Sequence, residues 1–359
     1  MPELRVNAAS GGYPVIVEPG ASAAVGAWVR DRAAGSKVLV VCDHNTAEVA
    51  GTRIAEDAGA EVLELEPGEP TKTFSNVGAI CVSAAAAGLD RRSIIVAVGG
   101  GVVGDVAGTA AAVYLRGIRL VQVPTTLLAM VDSSIGGKVG VNLSAGKNLV
   151  GAFKSPEGVF VDPDLLERLP EREYRSGMAE VIKSGFIADA ELSRILQERG
   201  DAVRRRRPEA LLDVITRTCA VKVGVVSRDE TESGERMILN FGHTFAHALE
   251  AASTYSRDIT HGEAVSIGME VAAKAGVDAG VTPIEVYEAV QRQLDAYGLP
   301  RRSPLAVAPE DILRAMSHDK KSHAGRVRWV LLESLGRATW GHELDDAAVR
   351  EAIAWGLRT

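Results

Sequence analysis

Sulfur chemistry has little to work with in this sequence: the three cysteines, Cys42, Cys81 and Cys219, lie far apart in apolar surroundings. An odd, dispersed set excludes a disulfide framework and signals no reactive thiolate; it fits small buried hydrophobes in a reducing compartment. An excess of basic charge is also missing. Lys and Arg number 40 against 47 Asp and Glu, a net charge of -7, which argues against general polyanion binding, so an anionic ligand must be met by a local cluster of cations. No uncharged apolar run is long enough to cross a bilayer, and the opening residues lack the apolar core of a signal peptide. The expectation is a cytoplasmic protein with neither membrane nor nucleic acid as partner. Repeats of fixed period are absent too. The basic run Arg204 to Arg207 reads as a solvated cluster before Pro208.

What is present is 359 residues, 46% hydrophobic and 24% charged. This composition excludes wholesale disorder and suggests two domains rather than one. Short β-branched runs at 37–43, 60–65, 93–98 and 119–123 alternate with Ala-rich helical stretches, the pattern of strands buried on both faces. Residues 1–162 therefore read as an α/β domain with a mostly parallel, Rossmann-like sheet. Residues 163–359 read as a helical domain, with 3.6-period segments at 172–186, 208–227, 238–252, 262–279 and 284–297 and one late hairpin formed by 326–333 and the segment around Ala338.

Four groups of residues can carry chemistry. After the strand ending at Val98, Gly99-Gly100-Gly101-Val102-Val103-Gly104-Asp105 satisfies Gly-x-Gly-x-x-Gly before a helix, where backbone N–H groups can bind a pyrophosphate. The acid expected about 20 residues later is absent; Asp43, ending an earlier strand, is the substitute, and a ligand-free tight turn fits the glycines equally. Second, Thr125 and Thr126, then Asp132 to Lys138, then Lys147 and Asn148 form a polar, Gly-bearing stretch that can wrap phosphate or be an ordinary surface loop; the many polar side chains within apolar sequence favour the former. Third, His243 and His247 stand at i and i+4, with Glu180 on a predicted helix and His261 at a helix start. Such N/O ligands suit zinc with an open position, and spacing alone pairs His243 with His247. Lys183, Lys222, Arg236 and the pair Lys320-Lys321 either make salt bridges or converge on a substrate with several negative charges.

Together these segments resemble the 3-dehydroquinate synthase family. The carrying motifs are Gly99 to Asp105, Tyr114-Leu115-Arg116-Gly117, Val123 to Leu128, Val131 to Lys138, Gly146-Lys147-Asn148, Ala179 to Lys183, Asn240 to Phe245, His261 to Val265 and Asp319-Lys320-Lys321, in order along nearly the whole chain. The resemblance implies an NAD-binding α/β domain followed by a helical metal- and substrate-binding domain. It also implies a phosphate-eliminating cyclase, a carbon–oxygen lyase of the shikimate route to aromatic amino acids. The substrate implied is a phosphorylated keto acid, 3-deoxy-D-arabino-heptulosonate 7-phosphate, converted to 3-dehydroquinate with catalytic NAD and Zn2+ or Co2+: C5 is oxidised, phosphate leaves by β-elimination, and reduction, ring opening and aldol closure follow.

Carried over by motif, Glu180, His243 and His261 become the metal ligands, replacing the spacing-based pair, and His247 passes to proton handling or phosphate contact. Lys138, Asn148, Asn240, His247 and Lys320 surround the phosphate, Lys222 and Arg236 hold the carboxylate, and Lys183 falls beside the metal. Arg116 reaches the neighbouring subunit's phosphate, so a homodimer is implied. Cofactor contacts come from Asp43, Asn45, Glu69, Lys72, Gly99, Gly100, Gly101, Asp105, Thr125, Thr126, Asp132, Lys138 and Lys147. An insertion between His243 and His261, and Ala246 where glycine is common, are the departures. Cyclases acting on sedoheptulose 7-phosphate or glucose 6-phosphate lack the need for Lys222 and Arg236. The sequence also leaves open an aminated-substrate cyclase, a metal-dependent alcohol dehydrogenase of the same fold and a non-catalytic binding protein.

Overall fold

The computed structural model describes residues 4–9, 11–144, 146–253, 258–317 and 327–357, which form two compact units: Met1–Leu169 with Lys222–Ser227, and Pro170–Val221 with Arg228–Thr359. Among the described residues no helix is long and apolar enough to cross a membrane.

The first unit is built on strands β1 (Leu4–Val6), β2 (Tyr13–Val17), β3 (Val38–Asp43), β4 (Glu61–Leu65), β5 (Ile94–Gly99), β6 (Arg119–Pro124), β7 (Lys138–Leu143), β8 (Gly146–Phe153) and β9 (Gly158–Val161). Seven of these make one sheet in the order β1-β2-β9-β6-β5-β3-β4, parallel throughout except for β1 on β2. Alternation of side chains explains why β3 and β5 are apolar on both faces. Val38, Val40, Cys42, Val96 and Val98 pack on one face with Val25, Val29 and Ile54. Leu39, Val41, Ile95 and Ala97 pack on the other with Ile80, Val103, Val106 and Ala110.

From β3 the chain first adds β4 on one side and then β5 on the other. This reversal of strand order falls at the carboxyl ends of β3 and β5, where Asp43 and Gly99 stand, the place at which open α/β sheets bind ligands. Sequence periodicity missed β1, β2 and β9, which are three to five residues long and too short to show a pattern. The polar stretch at 132–148, open between a phosphate wrap and a surface loop, supplies β7 and part of β8, an antiparallel hairpin.

Among the described residues, the second unit is helical apart from the hairpin of β10 (Arg328–Ser334) and β11 (Arg337–Glu343). Its long helices are Glu171–Ala188, Pro208–Arg228 (which also supplies Lys222–Ser227 to the first unit), His261–Asp278 and Ile284–Ala296. One expected helix, 238–252, is interrupted: Glu235–Asn240 is a 3-10 turn, and the α-helix His243–Ala252 begins only after Gly242, whose φ is 79°. Nor is the basic run wholly solvated. Arg204 and Arg206 lie over the rings of Tyr297 and Tyr174, their Cζ atoms 5.6 and 4.4 Å from the centroids, a cation–π arrangement.

Candidate active site

Each unit gathers one set of the polar residues singled out from the sequence. In the helical unit, Glu180 and Lys183 are one turn apart on the Glu171–Ala188 helix, each 2% exposed and paired with one another. Charges at that depth persist only with partners. Two imidazoles complete the cluster: Nε2 of His243 lies 3.6 Å, and Nε2 of His261 3.7 Å, from the same Glu180 Oε1. One donor atom from each of the three side chains falls within 4.8 Å of the others.

The backbone explains how residues so distant in sequence meet. Gly242, just before His243, has a left-handed φ, and a Cβ there would sit 2.7 Å from the backbone N of Met269 on the His261–Asp278 helix. Gly262, just after His261, approaches the Glu171–Ala188 helix so closely that a Cβ would lie 1.9 Å from the carbonyl oxygen of Ser176. A glycine beside each histidine thus lets three helices close on one point. Thr260 caps the His261–Asp278 helix in a reciprocal box with Glu263. Glu263 accepts two bonds from Arg172, at 3.3 and 2.9 Å. Burial would raise the Glu263 carboxyl, but Arg172 and the cap hold it below its usual range.

Hydrogen bonds fix both ring orientations. Nδ1–H of His243 donates to the Phe241 carbonyl at 3.2 Å, and Nδ1 of His261 faces Glu250 Oε2 at 3.4 Å, which leaves Nε2 of both rings toward Glu180. Burial disfavours a charged His261, yet Glu250 and Glu180 outweigh it and raise its pKa to about 10. His247 is outside the trio, its ring edge-on to His243 with centroids 5.2 Å apart.

In the same unit, Asp229 accepts the backbone N–H groups of Ser233, Gly234 and Arg236, curling the segment before the 3-10 turn. The buried Arg236 donates to the Glu230 carbonyl. Asn240 donates to Glu232 Oε1 at 2.6 Å, and Glu232 holds a left-handed φ of 62°, the kind of strain that concentrates at working sites. Sequence reading passed over Glu232, since neither its spacing nor its neighbours distinguish it from surface acids. Lys320, with Lys321, lies outside the described residues.

In the α/β unit, Asp43 ends β3 and accepts from the backbone N and hydroxyl of Thr46, while Thr46 also donates to the Val98 carbonyl at the end of β5. Asn45 is exposed beside it. Gly99 to Gly101 lead from β5 into the helix Gly101–Val113. Asp105 of that helix pairs with the buried Lys72; burial raises the Asp105 pKa and Lys72 opposes it. Asn142 on β7 ties the cluster together, a role not foreseen from sequence. Its backbone N–H donates to the Lys72 carbonyl, its amide donates to Glu69, and its side-chain oxygen accepts the Asn148 N–H. Lys147 stands 3.9 Å from Glu69. The backbone N–H of Thr125 donates to the Gly99 carbonyl, and its buried hydroxyl has no protein partner; Thr126 accepts from Ala129. Lys222 reaches Asp132, pairing with its carboxylate and donating to its carbonyl. Lys138 is exposed at the start of β7, and Arg116 is exposed with a φ of 67°.

Comparison with known proteins matches residues 62–176 to the family model described as 3-dehydroquinate synthase N-terminal and residues 177–322 to that described as 3-dehydroquinate synthase C-terminal. The 3-dehydroquinate synthase of Xylella fastidiosa (strain M23) is 44% identical over 331 residues, 89% of this chain and 90% of that protein. The 3-dehydroquinate synthase of Desulforamulus reducens is 40% identical over 359 residues, 99% of this chain and 100% of that protein. Among solved structures, 2-deoxy-scyllo-inosose synthase complexed with carbaglucose-6-phosphate, NAD+ and Co2+ superposes with a TM-score of 0.88 at 30% identity, covering 99% of this chain and 100% of that one.

Proposed function

The chain belongs to the 3-dehydroquinate synthase family, and from that premise we propose that it converts 3-deoxy-D-arabino-heptulosonate 7-phosphate to 3-dehydroquinate and inorganic phosphate, using NAD and a divalent metal, as a cytoplasmic homodimer. The observation that carries this reading is the trio Glu180, His243 and His261, with the buried Lys183 beside it.

The trio fits Zn2+ or Co2+. Two imidazoles and a carboxylate are donors both ions accept, and ligand atoms about 2.0–2.2 Å from a common ion stand roughly 3.3–3.6 Å apart in a tetrahedral shell, close to the 3.6 and 3.7 Å seen here. The α/β unit fits NAD in turn: the buried Thr125 hydroxyl lacks a protein partner, beside the Gly99 to Gly101 turn at a reversal of strand order. We assign cofactor contacts to Asp43, Asn45, Glu69, Lys72, Gly99, Gly100, Gly101, Asp105, Thr125, Thr126, Asp132, Lys138 and Lys147.

When bound, the metal supplies Lewis acidity at a carbinol oxygen and NAD supplies reversible hydride acceptance. The chain's own residues do the rest. Glu180, His243 and His261 hold the ion and leave a position open for substrate oxygens. Lys183, fixed against Glu180, presents an ammonium beside that position. Lys138, Asn148, Asn240, His247 and Lys320 bind the phosphate and stabilise it as it leaves, with Glu232 holding the Asn240 amide. Arg236 and Lys222 recognise the carboxylate, Arg236 with its guanidinium already fixed at the Glu230 carbonyl. Arg116, on strained exposed backbone, extends to the phosphate of a second copy.

Recognition by Arg236 makes a measurable difference. Arg236→Ala is expected to lose about 1.5–3 kcal/mol in kcat/KM for the carboxylated substrate, the contribution of a charge-assisted hydrogen bond, and to leave any turnover of sedoheptulose 7-phosphate unchanged. Steady-state kinetics with both substrates check this, and a wild-type preference for sedoheptulose 7-phosphate refutes the substrate assignment. The reaction class is tested by following phosphate release and NADH absorbance together, with NAD scarcer than substrate. Many phosphates released per NAD, without accumulating NADH, is the expected result. Release that stops after one equivalent of NAD, with matching NADH, identifies a dehydrogenase instead.

A further inference from the structure

We propose that Glu250 is a positioning residue for the metal site, holding His261 so that its Nε2 faces the ion; this rests on the metal reading above. On the helix His243–Ala252, positions 243, 247 and 250 are i, i+4 and i+7 and share one face. The same stripe that presents His243 therefore carries a carboxylate to the back of the other imidazole. Glu250 is 6% exposed, a depth at which a carboxylate needs a partner. Its Oε2 lies 3.4 Å from Nδ1 of His261, while Nε2 of that ring lies 3.7 Å from Glu180 Oε1.

The two histidines are oriented by different means. The back nitrogen of His243 donates to a carbonyl two residues away, a contact built into the turn that starts its own helix. His261 is the first residue of its helix and takes its partner from another one. Glu250 is not in the donor trio and faces the opposite ring nitrogen from Glu180, so it acts through the imidazole. A carboxylate there holds the proton on Nδ1, fixes the ring plane and strengthens Nε2 as a donor.

The experiment is metal affinity by chelator competition, with Zn2+ and with Co2+, on the full-length parent, Glu250→Gln, His261→Ala and the double variant. Glu250→Gln is expected to bind one ion roughly 10- to 100-fold more weakly, to shift the visible absorption of bound Co2+, and to recover most of its kcat at saturating metal. In the His261→Ala background Glu250→Gln should have no further effect, because the two residues act as one unit. An unchanged affinity in Glu250→Gln, or an equal loss with and without His261, overturns the proposal. A parent protein that binds no metal refutes instead the metal reading on which it rests.

Discussion

Zn2+ content is expected to fall from one equivalent to near zero in Glu180→Gln, His243→Ala and His261→Ala, whereas His247→Ala should retain the ion and lose activity. Three side-chain donors leave one position of a four-coordinate ion open for substrate, and the trio lies within 4.8 Å while His247 stands outside it. Removal of the Lewis acid costs several kcal/mol at the transition state, so phosphate release in the three ligand variants should drop by roughly three orders of magnitude. Gln rather than Ala is chosen at Glu180 because Lys183, equally buried, is paired with that carboxylate, and a fully truncated partner adds a folding defect to the loss of the ligand. Metal analysis of the four purified variants decides the matter. A metal-free His247→Ala together with a metal-loaded His261→Ala would restore the pair suggested by spacing.

Lys72→Met should destabilise the α/β unit by about 3–5 kcal/mol near neutral pH, since it leaves a buried carboxylate without its counter-ion. Lys72 and Asp105 are 8% and 15% exposed at their side chains and paired with each other. The pH dependence has a defined sign. Burial lifts the folded-state pKa of Asp105 above its ordinary value even with Lys72 opposing, and without Lys72 it rises further. A carboxyl whose folded pKa lies above its unfolded value favours the folded state most at low pH, and that contribution is lost as pH rises through the folded pKa. The gap between variant and parent is therefore widest at alkaline pH and closes as Asp105 takes up a proton on acidification. Urea unfolding of both proteins across this range provides the measurement, and a gap that widens on acidification contradicts the buried-charge explanation.

The α/β-then-helical plan is legible in local sequence. Strands such as Ile94–Gly99, and Val38–Asp43 up to its terminal aspartate, are apolar on both faces because both faces of a parallel strand are covered, and that leaves a local signature. The motifs around Gly99 to Asp105, Asn240 to Phe245 and His261 to Val265 marked the family, since their chemistry sits in short contiguous segments. The grouping of the donors, by contrast, is a product of long-range packing. Helical spacing favours His247 as the partner of His243, but close packing at Gly242 and Gly262 brings Glu180 and His261 there instead. The same limit applies to Asn142, Glu232 and Glu250, whose neighbours are ordinary and whose roles arise from contacts across the fold. Periodicity reports which face of an element is buried; it carries no information about which other element buries it, and the geometry of this site depends on that second fact.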